Sequence, residues 1–197
     1  MSDINNFRLA QVDLNDLEMV KAIGDLIYLT DPYIYPDMFE GDILWAEKLA
    51  YKLLSKETLF NYKNIKVAML DNKVAGFMII IDKYPSNNSE LIRESFMGII
   101  GRLPPRLNNV IKDYFEMFAN GWVGTQIMSL AVEEEFRNKK VATRMLNSLD
   151  KNTTYSLACI KDNEIARRLY AHCGFELLEE YAGYTNIMCV ELVKKGQ

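Results

Sequence analysis

Gln126-Ile-Met-Ser-Leu-Ala-Val132, followed by Glu133-Glu-Glu-Phe-Arg137-Asn-Lys-Lys-Val-Ala142, decides how this chain is built. The first run is apolar and strand-like. The second is a charged turn that leads into an amphipathic segment reaching about Asp150. The plan then repeats: Tyr155-Ser-Leu-Ala-Cys-Ile160 is strand-like, and Asn163-Glu-Ile-Ala-Arg-Arg-Leu-Tyr170-Ala-His-Cys-Gly-Phe175 is a helix closed by a glycine. A helix start exposes unpaired N–H groups and the positive end of the helix dipole, so a strand, basic turn and helix make an anion site. Arg137, Lys139 and Lys140 add charge beside those amides. The other use of such charges is a solvated patch offsetting Glu133 to Glu135.

Outward from this stretch, Phe7 to Val12 reads as a first strand. Asn15 and Glu18 have capping-box spacing and predict a helix start. Leu17, Val20, Ile23 and Ile27 continue at helical intervals to about Tyr28. Thr30 to Asp37 is a loop, since Pro32 and Pro36 forbid a continuous helix. Ala46, Leu49, Ala50 and Leu53 mark a second helix. Ile65 to Leu70 and Val74 to Asp82 form a hairpin around Asp71-Asn72-Lys73. Between Lys83 and Gly124, two apolar stripes predict an inserted pair of helices that walls a pocket or forms a dimer interface. Phe175 to Tyr181 and Tyr184 to Leu192 predict a terminal hairpin. The expected order is βααββ, two inserted helices, then βαβαββ: an α/β domain with helices on both faces of one sheet.

With 197 residues, one domain with an insertion is the expectation. Hydrophobic residues at 49% and charged residues at 25% match a soluble globular chain and exclude global disorder. A net charge of -4 argues against a protein that coats nucleic acid. Three cysteines, Cys159, Cys173 and Cys189, lack the spacing of a zinc site or disulfide framework. No apolar run is long enough to span a bilayer, and the N-terminus has no signal-peptide pattern. These features predict a cytoplasmic protein with no metal, membrane or nucleic-acid partner.

The turn and the second helix carry a resemblance. Phe136-Arg-Asn-Lys-Lys-Val-Ala142 after a strand ending Leu-Ala-Val resembles the acetyl-CoA turn of the GNAT superfamily, whose pattern is Arg/Gln-x-x-Gly-x-Gly/Ala. Arg137 and Ala142 match, and Lys139 and Val141 agree with its common form. Asn138 and Lys140 stand where glycines are usual. Asn tolerates left-handed backbone; the Lys140 amide reaches phosphate if its φ is ordinary, with the ammonium assisting, and otherwise the cofactor is expected to bind weakly or not at all. Asn163, Ala166, Tyr170 and Gly174-Phe175 resemble the second half of the family's site.

The resemblance implies a mostly antiparallel mixed sheet, with a V-shaped splay between its fourth and fifth strands, in a single domain over residues 1–197. It implies an N-acetyltransferase that moves the acetyl group of acetyl-CoA to a primary amine by direct attack. The amine would belong to a small molecule or a peptide. Leu130, Ala131 and Val132 would pair with the pantetheine arm. Arg137, Asn138, Lys139, Lys140, Val141, Ala142 and Thr143 would hold the phosphates. Asn163 and Ala166 would flank the arm, and Tyr170 would give a proton to the departing thiolate. Asn163 also has a local use as a helix cap. Tyr33, Tyr35 and Asp37 would meet the acceptor. Glu133 is a candidate base, and Ser129 could position a water instead. His172 and Cys159 are expected to have packing or surface roles. The alternative is a non-catalytic CoA-binding or partner-binding module on the same fold.

Overall fold

The computed structural model describes residues 6–31, 35–38, 43–82, 123–182 and 187–196. Seven strands form one sheet in the order β1-β2-β3-β4-β5-β7-β6. They are β1 (Arg8–Gln11), β2 (Ile65–Leu70), β3 (Lys73–Ile81), β4 (Thr125–Val132), β5 (Tyr155–Ile160), β6 (Glu176–Ala182) and β7 (Met188–Lys194). Every neighbouring pair is antiparallel except β4 and β5. The helices are α1 (Leu17–Thr30), α2 (Tyr35–Met38), α3 (Ile43–Ser55), α4 (Val141–Asn147) and α5 (Glu164–His172). The predicted insertion from Lys83 falls outside the described residues up to 122.

Each face of the sheet has its own core. On one, Ile23, Leu26 and Ile27 of α1 and Ala46, Ala50 and Leu53 of α3 cover Val67, Phe77 and Ile79. On the other, Val141, Met145 and Leu146 of α4 cover Ala75, Met78 and Leu157. Alternation along β2 and β3 sends successive side chains to opposite cores, which is why these strands are buried almost throughout. Each fully buried Leu or Ile contributes about 1.5–3 kcal/mol, so the sheet frame is well anchored where β4 begins.

Local chemistry sets the joints. Asp71 and Asn72 have φ of 50° and 62° and form the two-residue hairpin loop that such residues favour. The α1 cap is Asp16, not Asn15: Asp16 Oδ1 accepts the Met19 amide at 3.0 Å, while Asn15 hydrogen-bonds back to Asp13. The predicted loop after α1 contains the short helix α2, with Pro36 in its first turn, where no amide bond is lost. The terminal hairpin forms, but β7 rather than β6 sits beside β5.

One joint controls the sheet's middle. Parallel pairing of β4 with β5 is limited to Thr125↔Tyr155 and Gln126↔Ser156. Beyond it the two strands no longer pair with each other, β4 staying paired with β3 and β5 with β7. The closed end is tight: the Thr125 amide donates to the Thr154 carbonyl at 2.9 Å. Gly124, at φ +75°, lies so near that a Cβ there would stand 2.3 Å from the Thr154 oxygen. The splay expected between the fourth and fifth strands is therefore present, with its apex at Gln126.

Candidate functional site

The splay opens into a cleft of about 820 Å³. Gln126 to Val132 form one wall and Leu157 to Ile160 the other. The turn after β4 and the start of α4 close the wide end. Asn163, Ala166, Leu169 and Tyr170 of α5 line one side, and Leu26, Leu29, Thr30, Asp31 and Tyr35 line the opposite entrance.

The wide end is a helix start left open. Phe136, buried at 4% exposure, pins a short 3-10 turn over Glu134–Phe136 to the core. Asn138 then takes φ 63° and Lys140 φ 58°. Lys140 does not keep the ordinary φ required in the sequence reading. It adopts the left-handed conformation that a glycine would supply, at a local cost of roughly 1–2 kcal/mol for a residue with a Cβ. Its side chain makes no capping bond to α4. Among the described residues, the amides of Val141, Ala142 and Thr143 have no protein acceptor. The Lys140 carbonyl still accepts the Arg144 amide at 2.9 Å. Arg137 lies across the turn with Nε donating to the Val132 carbonyl at 3.4 Å. Lys139 instead places its ammonium 5.0 Å from the Phe136 ring centroid and does not line the cleft.

Leu130, Ala131 and Val132 are half-buried and pair with a strand on one side only, with Met78, Phe77 and Gly76 of β3, while the Val132 carbonyl also accepts from Arg137. Their other backbone edge faces the cleft. Tyr170 faces it from α5, its ring edge-on to Phe175 at 5.9 Å. Burial raises the Tyr170 hydroxyl well above the ordinary phenol value, with Cys159 and Cys173 adding to the shift. The group is a neutral O–H donor at physiological pH. Asn163 caps α5, its Oδ1 accepting the Ala166 amide at 3.1 Å, and lines the cleft as well. Gly174 ends the helix region at φ +88°.

Other sequence candidates separate. Glu133 does not line the cleft: its carboxylate accepts the Glu134 amide at 3.1 Å and caps its own turn. It stands instead near Asp25, whose carboxyl is pushed up to about 6, chiefly by burial and then by Glu47, with Glu133 a smaller contribution. Tyr35 is buried at the α1 side of the cleft, 6.3 Å from Phe60. Tyr33 and the Asp37 side chain lie outside the described residues. Burial pushes the Cys159 thiol up to about 11, opposite to what a nucleophile needs. His172 is exposed at the end of α5.

Three polar residues at or near the apex were not legible as site residues: Gln126, Ser156 and Glu191. Their one signal in the sequence was a lone carboxylate inside the apolar run Cys189-Val-Glu-Leu-Val193. Among the described residues, no group of three or more His, Cys, Asp or Glu could hold a metal ion. None of their helices is long and apolar enough to cross a membrane.

Comparison with known proteins agrees with this geometry. Residues 108–177 match the model of an acetyltransferase (GNAT) domain. An N-acetyltransferase from Staphylococcus aureus Mu50 is similar at a TM-score of 0.69 and 20% identity, covering 94% of this chain and 99% of that one. A second acetyltransferase structure gives 0.64 and 17%, covering 96% and 100%. Naa50 from Arabidopsis thaliana, in complex with the bisubstrate analogue CoA-Ac-MVNAL, gives 0.53 and 18%, covering 96% and 99%. No curated protein matches the chain in sequence. The fold, with its split sheet, is the one these acetyltransferase structures share. The match to the GNAT acetyltransferase domain lies in residues 108–177, and the likeness over the rest of the chain is one of fold.

Proposed function

We propose that this protein is a single-domain, cytoplasmic N-acetyltransferase that takes the acetyl group from acetyl-CoA and delivers it to a primary amine, of a small molecule or a peptide. The observation that carries this reading is the splay: two strands that stop pairing after Gln126↔Ser156 yet run on as strands. The residues fit the cofactor. The free β4 edge at Leu130 to Val132 offers backbone donors and acceptors to the amides of a pantetheine arm. The amides of Val141, Ala142 and Thr143, with Arg137 and Lys140, suit a pyrophosphate. Lys139 serves as a more distant charge. Naa50 was solved with a CoA-peptide analogue, which supports both the cofactor and an amine acceptor.

Acetyl-CoA supplies an activated acyl carbon; the chain supplies placement and protons. Thr30, Asp31 and Tyr35 lie where the acceptor would enter, and Asp31 favours an arriving ammonium. Ser129, on the cleft wall, would hold the water that takes the amine's proton, since Glu133 stands off the cleft. The acceptor nitrogen bonds to the thioester carbon, the C–S bond breaks, and Tyr170 gives its phenolic proton to the leaving sulfur. Holding both reactants together supplies much of the rate gain.

Calorimetric titration with acetyl-CoA tests the cofactor, and no heat at high micromolar concentration would sink it. A panel of amines with a free-thiol assay tests transfer. Heat without thiol release is the result expected of a CoA-binding module. Tyr170→Phe should lower kcat roughly 100-fold while leaving acetyl-CoA affinity unchanged.

A further inference from the structure

The apex of the cleft holds a buried polar chain. Ser156 is 0% exposed, Gln126 1% and Glu191 3%. Ser156 Oγ donates to Gln126 Oε1 at 2.6 Å. Register puts all three on one face of the sheet: Gln126 pairs with Ser156, and Glu191 pairs with Ala158, two residues along β5. Glu191 stands diagonally across the sheet from Ser156, close enough for the serine hydroxyl to act on its carboxyl, and Glu191 Oε1 has no partner. Gln126 lines the cleft and Glu191 does not.

One proton decides the direction of this chain. A serine hydroxyl has a single hydrogen. When it points to Gln126, the link to Glu191 is complete only if the carboxyl is protonated and donates to Ser156 Oγ. When the carboxyl is ionised, it accepts the serine's hydrogen and Gln126 Oε1 is released. We propose that Glu191 is a positioning residue for acyl transfer: as a neutral acid it holds Ser156, and through Ser156 holds Gln126 with its amide N–H donors presented to the cleft apex.

The proposal rests on the acyltransferase reading. If phosphates sit at the turn beyond Val132, the arm runs back along β4 for about 20 Å to Gln126. The thioester then ends at the apex, where a fixed N–H donor favours the negative charge that develops on the carbonyl oxygen. The surroundings keep the acid neutral until the pH approaches neutrality. Burial is the main cause that pushes Glu191 up to about 7; Ser156 opposes it and Glu179 on β6 adds to it. Tyr181 on β6 also faces this group, with Cys189 of β7 beside it, and burial raises the tyrosine hydroxyl well above the ordinary phenol value, so it is neutral in this range.

The sign follows. Turnover should be full below the Glu191 pKa and fall by about tenfold per pH unit above it. Glu191→Gln can donate to Ser156 but cannot ionise, so its kcat should stay level over the same range. Ser156→Ala should lower kcat at every pH with the KM for acetyl-CoA unchanged. The link can be read without turnover, from the Gln126 side-chain amide pair in 1H–15N NMR. Its shift should titrate near neutrality in the wild type and remain still in Glu191→Gln. A pair that does not move in the wild type overturns the chain. A pair that moves while both proteins share one pH–rate profile overturns its role in transfer. Failure of the function itself shows separately, as absent heat with acetyl-CoA.

Discussion

The two strand-to-helix turns that flank the cleft share one plan and end differently. After β5, the helix closes its own start: Asn163 accepts the Ala166 amide at 3.1 Å, and Glu164 puts an acid in the first turn. After β4, Lys140 stands at the cap with no side-chain bond, and the first turn carries no acid. The first kind of end puts an acid before an anion and ties up the Glu164 and Ala166 amides. The second offers both free donors and positive charge. The anion site proposed at the β4 turn thus rests as much on a withheld cap as on added cations, and composition alone would not separate these two helices.

The comparison breaks most sharply if the open turn is given a cap. Lys140→Asp places an acid and a side-chain acceptor over the free amides. Acetyl-CoA affinity by calorimetry should fall roughly 100-fold, about 2.7 kcal/mol, with the circular dichroism spectrum unchanged. The converse change opens the closed turn. Asn163→Ala should cost about 1 kcal/mol of stability in a urea titration and leave acetyl-CoA affinity nearly unchanged. An affinity loss as large as that of Lys140→Asp would mean that Asn163 serves the ligand rather than the helix. The smallest effect is expected for Lys140→Gly. Relief of the left-handed strain should raise stability by somewhat less than 1 kcal/mol. Loss of the ammonium should weaken acetyl-CoA binding severalfold.

The sequence conveyed local order well and long-range neighbours poorly. The strand and helix runs around Gln126 to Phe175, the Asp71-Asn72 loop and the apolar stripes of α1 and α3 follow from short-range periodicity, so they could be read directly. The α1 cap was misplaced by one residue because Asn15 and Asp16 are both good acceptors; only the fold of Asn15 onto Asp13 decides between them. Lys140's left-handed backbone was hidden because its side chain argues against that conformation, and the surrounding turn imposes it. Pairing of Gln126 with Ser156, and the approach of Glu191, depend on register between strands far apart in the chain. Glu133 looked poised at a strand end, but its side chain turned to cap its own turn. Such choices lie in tertiary packing, which no window of sequence contains.

The tight contact at Gly124 and Thr154 is the fulcrum of the cleft. From it, β4 and β5 diverge as two arms, one of them about 20 Å long between Gln126 and Val132. A small rotation at that pivot is multiplied toward the mouth. The gap between the strands is therefore gauged by a glycine outside the cleft lining, and a single methyl group there would reset the bite of the whole jaw.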